Sequence, residues 1–269
     1  MSRFTETAYA KLNLALHVRG KRADNYHDIE TIFAFCEDGD DLSGEDADDL
    51  TLDVSGPLAG DVPEGESNLV IKAARALQQA SGITNGARLQ LVKNLPVASG
   101  IGGGSADAAA ALRLLTELWG LEASKAEQVA PAIGADVPAC LRSETRFGRG
   151  RGDALQAIDD SGVGGTPVLL VNPNLPLMTG AVFEGWGGVD RGPLEDWREG
   201  RNDLEPAAIS LVPEIAEVLD WLRDQPGADF VRMSGSGATC FALFADEAAR
   251  DEAAAAVPGQ WWRLATRLR

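Results

Sequence analysis

The chain has 269 residues, 45% hydrophobic and 24% charged, which is enough for one large globular domain or two smaller ones. Asp and Glu outnumber Lys and Arg by 41 to 24, and the resulting formal net charge of −17 repels a nucleic-acid backbone. Composition therefore excludes a broad DNA or RNA footprint, and the lack of an apolar run near the ~20 residues of a membrane span excludes an integral membrane protein.

A strand is the first predicted element. Residues 7–18 alternate apolar and polar side chains, the period of a strand with one buried face, so Lys11 and Asn13 share a face. Residues 37–49 follow and are rich in Asp and Glu. We interpret this second stretch as a solvated loop that carries no chemistry.

A helix between two strands comes next. Asn68 has the side chain of a helix N-cap and Gly82 the backbone freedom of a C-terminal glycine, so the sequence predicts a helix over 68–81. Period-two patterns predict strands on either side of it, at 50–54 and 88–92.

A glycine-rich turn leads into the strongest helical pattern of the chain. The turn is at 100–104, and the Ala-rich start and Leu spacing of residues 105–119 predict a long helix directly after it. A second helix is predicted over 124–133 and ends at Gly134.

The composition changes after Asp153, and an acidic, glycine-containing linker at 159–165 marks a domain boundary. We expect an N-terminal domain over 1–157 and a C-terminal domain over 158–269. Strands and helices alternate in the second half as they do in a split α+β sandwich. The elements predicted there are a strand at 167–171, a helix at 213–223, strands at 230–233 and 240–244, and a helix at 246–256.

Cysteines, histidines and the N-terminus bear on location and on metal chemistry. Cys36, Cys140 and Cys240 are far apart in apolar surroundings, which is typical of reduced core thiols. Because residues 1–10 are too polar for a signal-peptide core, we expect a cytoplasmic protein. Two histidines in the whole chain leave few candidates for a multi-histidine metal site or a Ser-His-Asp hydrolase.

The segment 96–109 has the chemistry of a phosphate-binding loop. Where a strand runs through glycines into a helix, successive N–H groups and the helix N-terminus converge, and glycine lets phosphate oxygens approach the backbone. The segment lacks the Gly-Lys-Ser/Thr ending of a Walker loop, and serine at position 105 replaces the third glycine of a dinucleotide fingerprint. Taken alone, the pattern is also compatible with a tight turn.

Three segments together resemble the GHMP kinase superfamily in their order and spacing. They are Ala10-Lys-Leu-Asn-Leu14, the glycine loop at 96–109, and Ser234-Gly-Ser-Gly-Ala-Thr239. Further segments resemble the branch whose substrate is a cytidine-diphosphate-linked alcohol, and the similarity spans essentially the whole chain. They are Arg22-Ala-Asp-Asn-Tyr-His-Asp28, Gly134-Ala-Asp-Val-Pro138 and Asn202-Asp-Leu-Glu-Pro206.

The resemblance implies both a fold and an activity. The fold is α+β with the two-domain GHMP-kinase architecture, an N-terminal α/β domain joined to a C-terminal ferredoxin-like α/β sandwich. The activity is transfer of the ATP γ-phosphate, with Mg²⁺ as the metal, to the 2-hydroxyl of a cytidine-diphosphate-linked methylerythritol. This reaction is a step of the non-mevalonate route to isoprenoid precursors. The expected partners are thus ATP and this small-molecule alcohol.

Catalysis is assigned by the resemblance to Lys11 and Asp136. Asp136 would accept the hydroxyl proton, and Lys11 would stabilise the negative charge that develops during transfer. The local sequence alone is also compatible with Asp136 as a helix cap after Gly134. It is likewise compatible with Lys11 as a surface lysine whose aliphatic stem lies along apolar neighbours.

The resemblance also assigns the nucleotide and metal sites. The family usually has a second serine where this chain has Ala106, so Mg²⁺ would depend on Ser105, water and the phosphates. Asn68 can act as a helix cap and contact the nucleotide at the same time. The expected ATP-binding residues are Asn68, Lys93, Pro96, Ala98, Ser99, Gly100, Ile101, Gly102, Gly103, Gly104, Ser105 and Ala106.

Substrate recognition is expected from the adjacent residues Tyr26 and His27. An aromatic face can stack on a pyrimidine, and an imidazole can donate to and accept from the polar edge of the base. By resemblance, Phe183 is the second wall of a cytosine sandwich. The expected substrate-binding residues are Asn13, Tyr26, His27, Thr179, Phe183, Gly235, Ser236 and Gly237.

Several alternatives stay open. The segment 146–153 alternates Arg and Gly, and it is either a source of positive charge for the substrate diphosphate or a flexible turn. Another GHMP kinase, acting on homoserine, mevalonate or a sugar, is a second possible function, although Tyr26 and His27 argue against it. A nucleotide-binding module without catalysis is a third, and the presence of both catalytic residues argues against that one.

Overall fold

The structure is a computed structural model that describes residues 3–158 and 162–269. Residues 159–161 of the predicted linker lie outside the described part. None of the helices in the part that the structure describes is both long and apolar enough to cross a bilayer.

The described residues form two compact units, each assembled from separate stretches of chain. Unit 1 contains the described residues up to Ala10, followed by Asp38–Val97 and Gly102–Ser143. Unit 2 contains Lys11–Glu37, Ala98–Ile101 and the described residues from Glu144 onward. The expected domains, 1–157 and 158–269, are each continuous in sequence, whereas the two units are not. The expected domain boundary stays a prediction.

The secondary structure confirms each predicted strand and helix and adds others. The strands are β1 (Phe4–Lys21), β2 (His27–Ala47), β3 (Leu50–Ser55), β4 (Gly86–Val92), β5 (Arg146–Gly150), β6 (Ala154–Ala157), β7 (Pro167–Asn172), β8 (Ala228–Met233), β9 (Cys240–Phe244) and β10 (Trp262–Arg267). The helices are α1 (Leu69–Ser81), α2 (Gly103–Leu118), α3 (Ala123–Ile133), α4 (Val137–Arg142), α5 (Thr179–Glu184), α6 (Glu205–Leu211), α7 (Glu214–Arg223) and α8 (Glu247–Ala256). The additions are β2, β5, β6, β10, α4, α5 and α6.

Unit 1 is built on β4. This strand pairs antiparallel with the C-terminal half of β2, where Asp41 lies opposite Val92, and parallel with β3 on its other side. Helix α2 packs against α1, α3 and α4. The alanines from Ala108 to Ala111 are completely buried. Their small side chains let the neighbouring helices pack close to the backbone of α2, and this packing covers them.

Unit 2 contains a sheet with ferredoxin-like topology. Its strands pair antiparallel in the order β10-β7-β9-β8. Along the chain the order is β7, helices, β8, β9, α8, β10, which is the split βαβ arrangement, and α7 and α8 pack on the sheet. The predicted α+β class with a ferredoxin-like sandwich is therefore confirmed. In the same unit the first half of β2 pairs with β5, and β5 pairs with β6.

The core of unit 2 explains the apolar run of β7. Leu169 and Val171 belong to a cluster with Val218 and Leu222 of α7, and the neighbouring Leu170 on the opposite face is also completely buried. A strand covered on both faces needs apolar side chains at successive positions, so its sequence does not alternate. Each such side chain contributes roughly 1.5–3 kcal/mol through its removal from water.

The interpretation of residues 37–49 as a solvated loop is wrong. Most of this stretch is the second half of β2, in which Asp40, Leu42 and Gly44 are buried while Asp41 is exposed. The many acidic residues suggested a loop, but most of them are the solvent-exposed side chains of a strand. Asp40 is the exception, because its side chain is buried. Asp40 is completely buried, and a buried carboxylate requires charged or hydrogen-bonding partners.

Candidate active site

Strand β1 places two predicted residues on one buried face in unit 2. Lys11 is 3% exposed and Asn13 is 2% exposed. Lys11 Nζ donates to Asn13 Oδ1 at 2.7 Å, and the ammonium lies 5.5 Å from the centre of the Phe33 ring. The surface-lysine alternative is therefore wrong, because the whole side chain is buried and not only its stem.

Asn13 is held at both its side chain and its backbone. Its Nδ2 donates to Thr31 Oγ1 at 2.8 Å, and Thr31 Oγ1 donates in turn to Ala15 O at 2.6 Å. The backbone N–H of Asn13 donates to Ser234 Oγ at 3.1 Å, and that hydroxyl donates to Gly100 O at 3.0 Å. Hydrogen bonds thus join β1, the glycine loop and the turn after β8 within unit 2.

Gly100 meets the turn at residues 234–237 backbone to backbone. Its φ is +80°, and a Cβ at this position would lie 2.4 Å from Ser234 O. A Cβ at Gly235 would lie 2.7 Å from Gly100 O and 3.1 Å from Asn13 Oδ1. Neither position has room for a side chain, so both glycines are required by the fold of unit 2 itself.

The other loop residues of unit 2 support the same junction. Lys11 N donates to Ile101 O at 2.9 Å, and the Ile101 side chain is completely buried. Ser99, only 5% exposed, accepts from Thr239 N at 3.1 Å through its backbone carbonyl. Ala98 has a positive φ of +51° although it is not a glycine.

His27 and Phe183 are brought together in unit 2. Their rings stack with centroids 4.9 Å apart and planes at 28°, and Trp186 meets His27 edge-on with centroids 5.7 Å apart. Burial, and then the positive charge of Lys21, lower the pKa of His27. The imidazole is therefore neutral near neutral pH and offers one donor and one acceptor nitrogen.

Tyr26 stands at the surface of the same unit. It is 52% exposed, and the guanidinium of Arg151 lies 5.1 Å from the centre of its ring. Arg151 also pairs with Asp153 at 2.8 Å. The flexible-turn alternative for 146–153 is wrong for residues 146–150, because they form β5. The role of this segment toward a substrate diphosphate stays a prediction.

Two other predicted substrate residues lie next to each other. Thr179 Oγ1, at the start of α5, is 3.0 Å from Ser236 Oγ. Gly237 N donates to Ser234 O at 2.9 Å and closes the turn that carries Ser236. These hydroxyl groups form a polar pair, and their contact with substrate stays a prediction.

Unit 1 contains the second half of the glycine loop, where α2 begins. Gly102 is the N-cap residue, with φ +67°, of this 16-residue helix. The N–H groups of a first helical turn lack partners within the helix and carry the positive end of its dipole, so they attract phosphate. Gly104 is exposed there, and a Cβ on it would meet only Leu69 Cδ1, at 3.3 Å. Ala106 is buried instead, and its N–H donates to Gly102 O at 2.8 Å.

Ser105 faces the turn that precedes α4. A Cβ on Gly134 would lie 3.9 Å from Ser105 Oγ. Asp136 occupies the N-cap position of α4, but its side chain makes no capping hydrogen bond, so capping does not account for the carboxylate. Hydroxyl and carboxylate oxygens are ligands that Mg²⁺ prefers, and Mg²⁺ keeps several waters, so Ser105 fits such an ion. Within residues 3–158 and 162–269, no group of three or more His, Cys, Asp or Glu is arranged to hold a metal.

Asn68 is confirmed as the N-cap of α1. Its Oδ1 accepts from Val70 N at 2.8 Å, and its Nδ2 donates to Pro63 O at 2.9 Å. The residue is only 3% exposed. Its contact with the nucleotide stays a prediction.

Lys93 lies in a buried cluster with two carboxylates. Its Nζ donates to Asp40 Oδ2 at 2.5 Å and to Asp107 Oδ2 at 2.7 Å. A Cβ on Gly103 would be 3.2 Å from this Nζ and 3.7 Å from Pro96 O, so the ammonium lies against the first turn of α2. Lys93 is 1% exposed and has a structural role in unit 1, whereas its predicted contact with the adenosine end of ATP stays a prediction.

The carboxylates of this cluster are not equivalent. Asp40 Oδ1 accepts from the backbone N–H groups of Asn94 and Leu95, at 2.6 and 2.8 Å. Asp107 Oδ1 has no hydrogen-bond partner among the described residues. Burial raises the pKa of Asp107 to about 7; Lys93 opposes the shift and the charge of Asp40 adds to it.

Two family models match the chain, the GHMP kinases N terminal domain over residues 68–144 and the GHMP kinases C terminal domain over residues 190–263. The chain belongs to the GHMP kinase family. This GHMP kinase is 53% identical over 280 residues to the 4-diphosphocytidyl-2-C-methyl-D-erythritol kinase of Rhizorhabdus wittichii, which covers 98% of this chain and 94% of that protein. It is 51% identical over 270 residues to the kinase of the same name from Novosphingobium aromaticivorans, covering 98% and 92%.

A solved structure supports the same relationship. The crystal structure of 4-(cytidine 5'-diphospho)-2C-methyl-D-erythritol kinase matches this GHMP kinase with a TM-score of 0.84 at 32% sequence identity. The match covers 98% of this chain and 99% of the other. The resemblance predicted from the motifs is confirmed, and use of ATP with a small-molecule substrate follows from membership of the family.

Sequence reasoning about this GHMP kinase missed four residues beside the predicted ones: Thr31, Asp40, Asp107 and Trp186. Asp107 left a signal, because it is a lone charge in the buried, Ala-rich start of α2. Thr31 left a weaker one as a polar residue directly before the apolar run from Ile32. The importance of the other two depends on contacts with distant segments, which local patterns do not reveal.

Two glycines of this GHMP kinase are expected to respond differently to alanine. Gly100→Ala should lower the free energy of unfolding by about 1–3 kcal/mol, because the positive φ and the contact with Ser234 O leave no room for a methyl group. Gly104→Ala should leave stability close to wild type but raise the Kd for a non-hydrolysable ATP analogue. Urea denaturation and calorimetric titration measure the two effects. Equal losses of stability, or an unchanged Kd in Gly104→Ala, would contradict this assignment.

Proposed function

We propose that this GHMP kinase transfers the γ-phosphate of ATP to the 2-hydroxyl of 4-diphosphocytidyl-2-C-methyl-D-erythritol, giving the 2-phosphate and ADP. The observation that carries the proposal is 53% identity with a kinase of that name over 98% of this chain. The reaction belongs to the non-mevalonate, or methylerythritol phosphate, route to isoprenoid precursors. The cytoplasmic location expected from the sequence is part of the same proposal.

Asp136 is the proposed general base. A carboxylate accepts the proton of the 2-hydroxyl as the oxygen bonds to phosphorus, which lowers the charge that the acceptor must carry. One feature of unit 1 supports the assignment. Asp136 is only partly buried, so a bound alcohol can reach its side chain.

Lys11 is proposed to supply positive charge during transfer. An ammonium stabilises negative charge on the transferring group and the ionised form of the acceptor oxygen. The hydrogen bond from Lys11 Nζ to Asn13 Oδ1, together with the burial of both residues, fixes where that charge lies. Phosphoryl transfer depends mainly on position and charge, so no covalent nucleophile is required.

Phosphate binding is proposed for the glycine loop and the start of α2. Backbone N–H groups at 100–104 and the positive end of the helix dipole hold the nucleotide phosphates. Ser105 would hold Mg²⁺ together with water and phosphate oxygens. When bound, the ion neutralises charge on those oxygens. Ser105 Oγ supports this placement because it lies on the first turn of α2, at the same helix start that is proposed to bind the phosphates.

Recognition of the cytidine end is proposed for the aromatic residues of unit 2. The neutral imidazole of His27 donates to and accepts from the cytosine edge, and Trp186 packs edge-on against that imidazole. Phe183, whose ring lies beside that of His27, is the second wall of the cytosine sandwich. Tyr26 offers an exposed ring on which the base can stack. Thr179 and the turn of Ser236 supply hydroxyl groups to the rest of the substrate.

A coupled assay for ADP release tests the proposal. We expect turnover with the cytidine-linked alcohol and none with homoserine or mevalonate. Tyr26→Ala should raise the KM for the alcohol by about 5- to 150-fold and leave the KM for ATP unchanged. This factor corresponds to the loss of about 1–3 kcal/mol of stacking free energy between the ring and one base. Tyr26→Phe keeps the ring and should behave as wild type. Equal turnover of homoserine or mevalonate would refute the assignment, and equal changes in both KM values would place the ring elsewhere.

A further inference from the structure

Thr31 is a completely buried polar residue of β2 with no role in the mechanism described above. It is followed directly by Ile32 and Phe33 in the stretch 31–36 of the strand, which is buried throughout. A hydroxyl in such surroundings needs hydrogen bonds to offset its removal from water. Thr31 makes one to Ala15 O at 2.6 Å and receives one from Asn13 Nδ2 at 2.8 Å.

The direction of these bonds determines how the Asn13 amide is turned. A carbonyl oxygen only accepts, so the single proton of the Thr31 hydroxyl must point to Ala15 O. The hydroxyl therefore presents a lone pair to Asn13, and only the amide NH₂ can meet a lone pair. The other end of the amide, Oδ1, is then directed to Lys11 Nζ at 2.7 Å, where an ammonium needs an acceptor.

The opposite orientation of the amide would place donors against donors at one contact. An NH₂ group would face the Lys11 ammonium, which has protons and no acceptor. The two ends of an amide have almost the same shape, so packing alone selects weakly between them. The Thr31 hydroxyl supplies the chemical difference that selects one.

We propose that Thr31 is a positioning residue for phosphoryl transfer, which acts through the Asn13 amide to hold the Lys11 ammonium in place. The inference rests on the proposed role of Lys11. Loss of the hydroxyl frees the amide to turn and removes the defined acceptor from the ammonium. Small displacements of a charged group cost large factors in rate. Among the described residues, the side-chain hydrogen bonds of Thr31 go only to Ala15 and Asn13, so any effect on substrate passes through the Asn13 amide.

Thr31→Val, which keeps the shape and removes the hydroxyl, tests this proposal. We expect kcat to fall by about tenfold or more, with the KM for ATP within about threefold of wild type. Thr31→Ser keeps the hydroxyl and should recover most of kcat. Thr31→Ala and Thr31→Ser differ from each other only in the hydroxyl group. If Thr31→Val folds poorly, the ratio of kcat between these two variants measures the effect of the hydroxyl instead.

Thr145→Val is the matched control. Thr145 is also buried, and its hydroxyl has no hydrogen-bond partner among the residues that the structure describes. The same chemical change there should leave kcat within about twofold of wild type, because it touches no part of this chain of hydrogen bonds. A tenfold loss in Thr145→Val would mean that any buried hydroxyl matters equally and would overturn the proposal.

A double-mutant cycle with Lys11→Met separates positioning from general damage. If Thr31 acts through Lys11, then Thr31→Val should lower kcat no further in the Lys11→Met background. The same factor in both backgrounds, or wild-type kcat in Thr31→Val, would overturn the inference while leaving the proposed function intact. Absence of turnover in the wild-type enzyme, or full turnover in Lys11→Met, would instead defeat the function or the lysine role on which the inference rests.

Discussion

Asp136→Asn is expected to lower kcat by about 10²-fold or more while ATP binding is retained, the usual scale for loss of a general base. The amide has nearly the same shape as the carboxylate but takes no proton. Because Asp136 is only partly buried and does not cap α4 through its side chain, stability should hardly change. Initial rates of ADP release and calorimetric titration with an ATP analogue measure the two quantities.

Asp246→Asn is the control for this substitution. Asp246 is also an N-cap residue, and its side chain accepts from Ala249 N at 2.9 Å. Asparagine caps helices about as well as aspartate, so turnover and stability should both stay at wild-type values. Unchanged turnover in Asp136→Asn would mean that the proton leaves by another path, and loss of ATP binding would assign Asp136 to the nucleotide instead.

Lys93→Met is expected to lower the free energy of unfolding by about 3–5 kcal/mol, a large part of the 5–15 kcal/mol that is typical of a domain. Methionine fills similar space but leaves Asp40 and Asp107 buried together without a cation. Urea denaturation measures the effect. Lys125→Met, at a partly exposed lysine whose Nζ donates to Ala80 O, is the control and should cost less than about 1 kcal/mol.

The loss in Lys93→Met should also grow with pH. A carboxyl whose pKa is raised by folding adds stability below its unfolded pKa and loses that contribution as pH rises through its folded pKa. Burial already raises the pKa of Asp107 to about 7, and Lys93 opposes this shift. Without Lys93, the penalty for ionised carboxylates should be smaller near pH 5 than near pH 8. An equal loss at both pH values would show that the cluster contributes by packing and not by charge.

Local patterns were sufficient wherever a residue's structure depends on its near neighbours. The alternation at 7–18 predicted β1, and the cap and terminal glycine of α1 predicted both of its ends. The glycine turn before α2 was likewise visible, because positive φ and a helix N-terminus are properties of short segments. The family followed from such segments taken together in order.

Contacts between distant parts of each unit decided the rest. In the sequence Asp40 is one acidic residue among many. Its burial depends on Lys93, 53 positions later, and on the backbone N–H groups of Asn94 and Leu95, which all lie at hydrogen-bond distance. A charged residue in a sequence normally indicates a solvent-exposed position. A partner of opposite charge allows the same residue to be buried.

Local patterns predicted many of the strands and helices and the family, and they named the residues that are proposed for catalysis and binding. Tertiary structure alone decided how those residues are supported. It turned the Asn13 amide toward Lys11 through Thr31, stacked His27 on Phe183, and set Lys93 against the first turn of α2. The physical reason is the range of the interactions. Periodicity, caps and turns act over a few residues, whereas hydrogen-bond direction and charge pairing depend on atoms that only folding brings within about 3 Å.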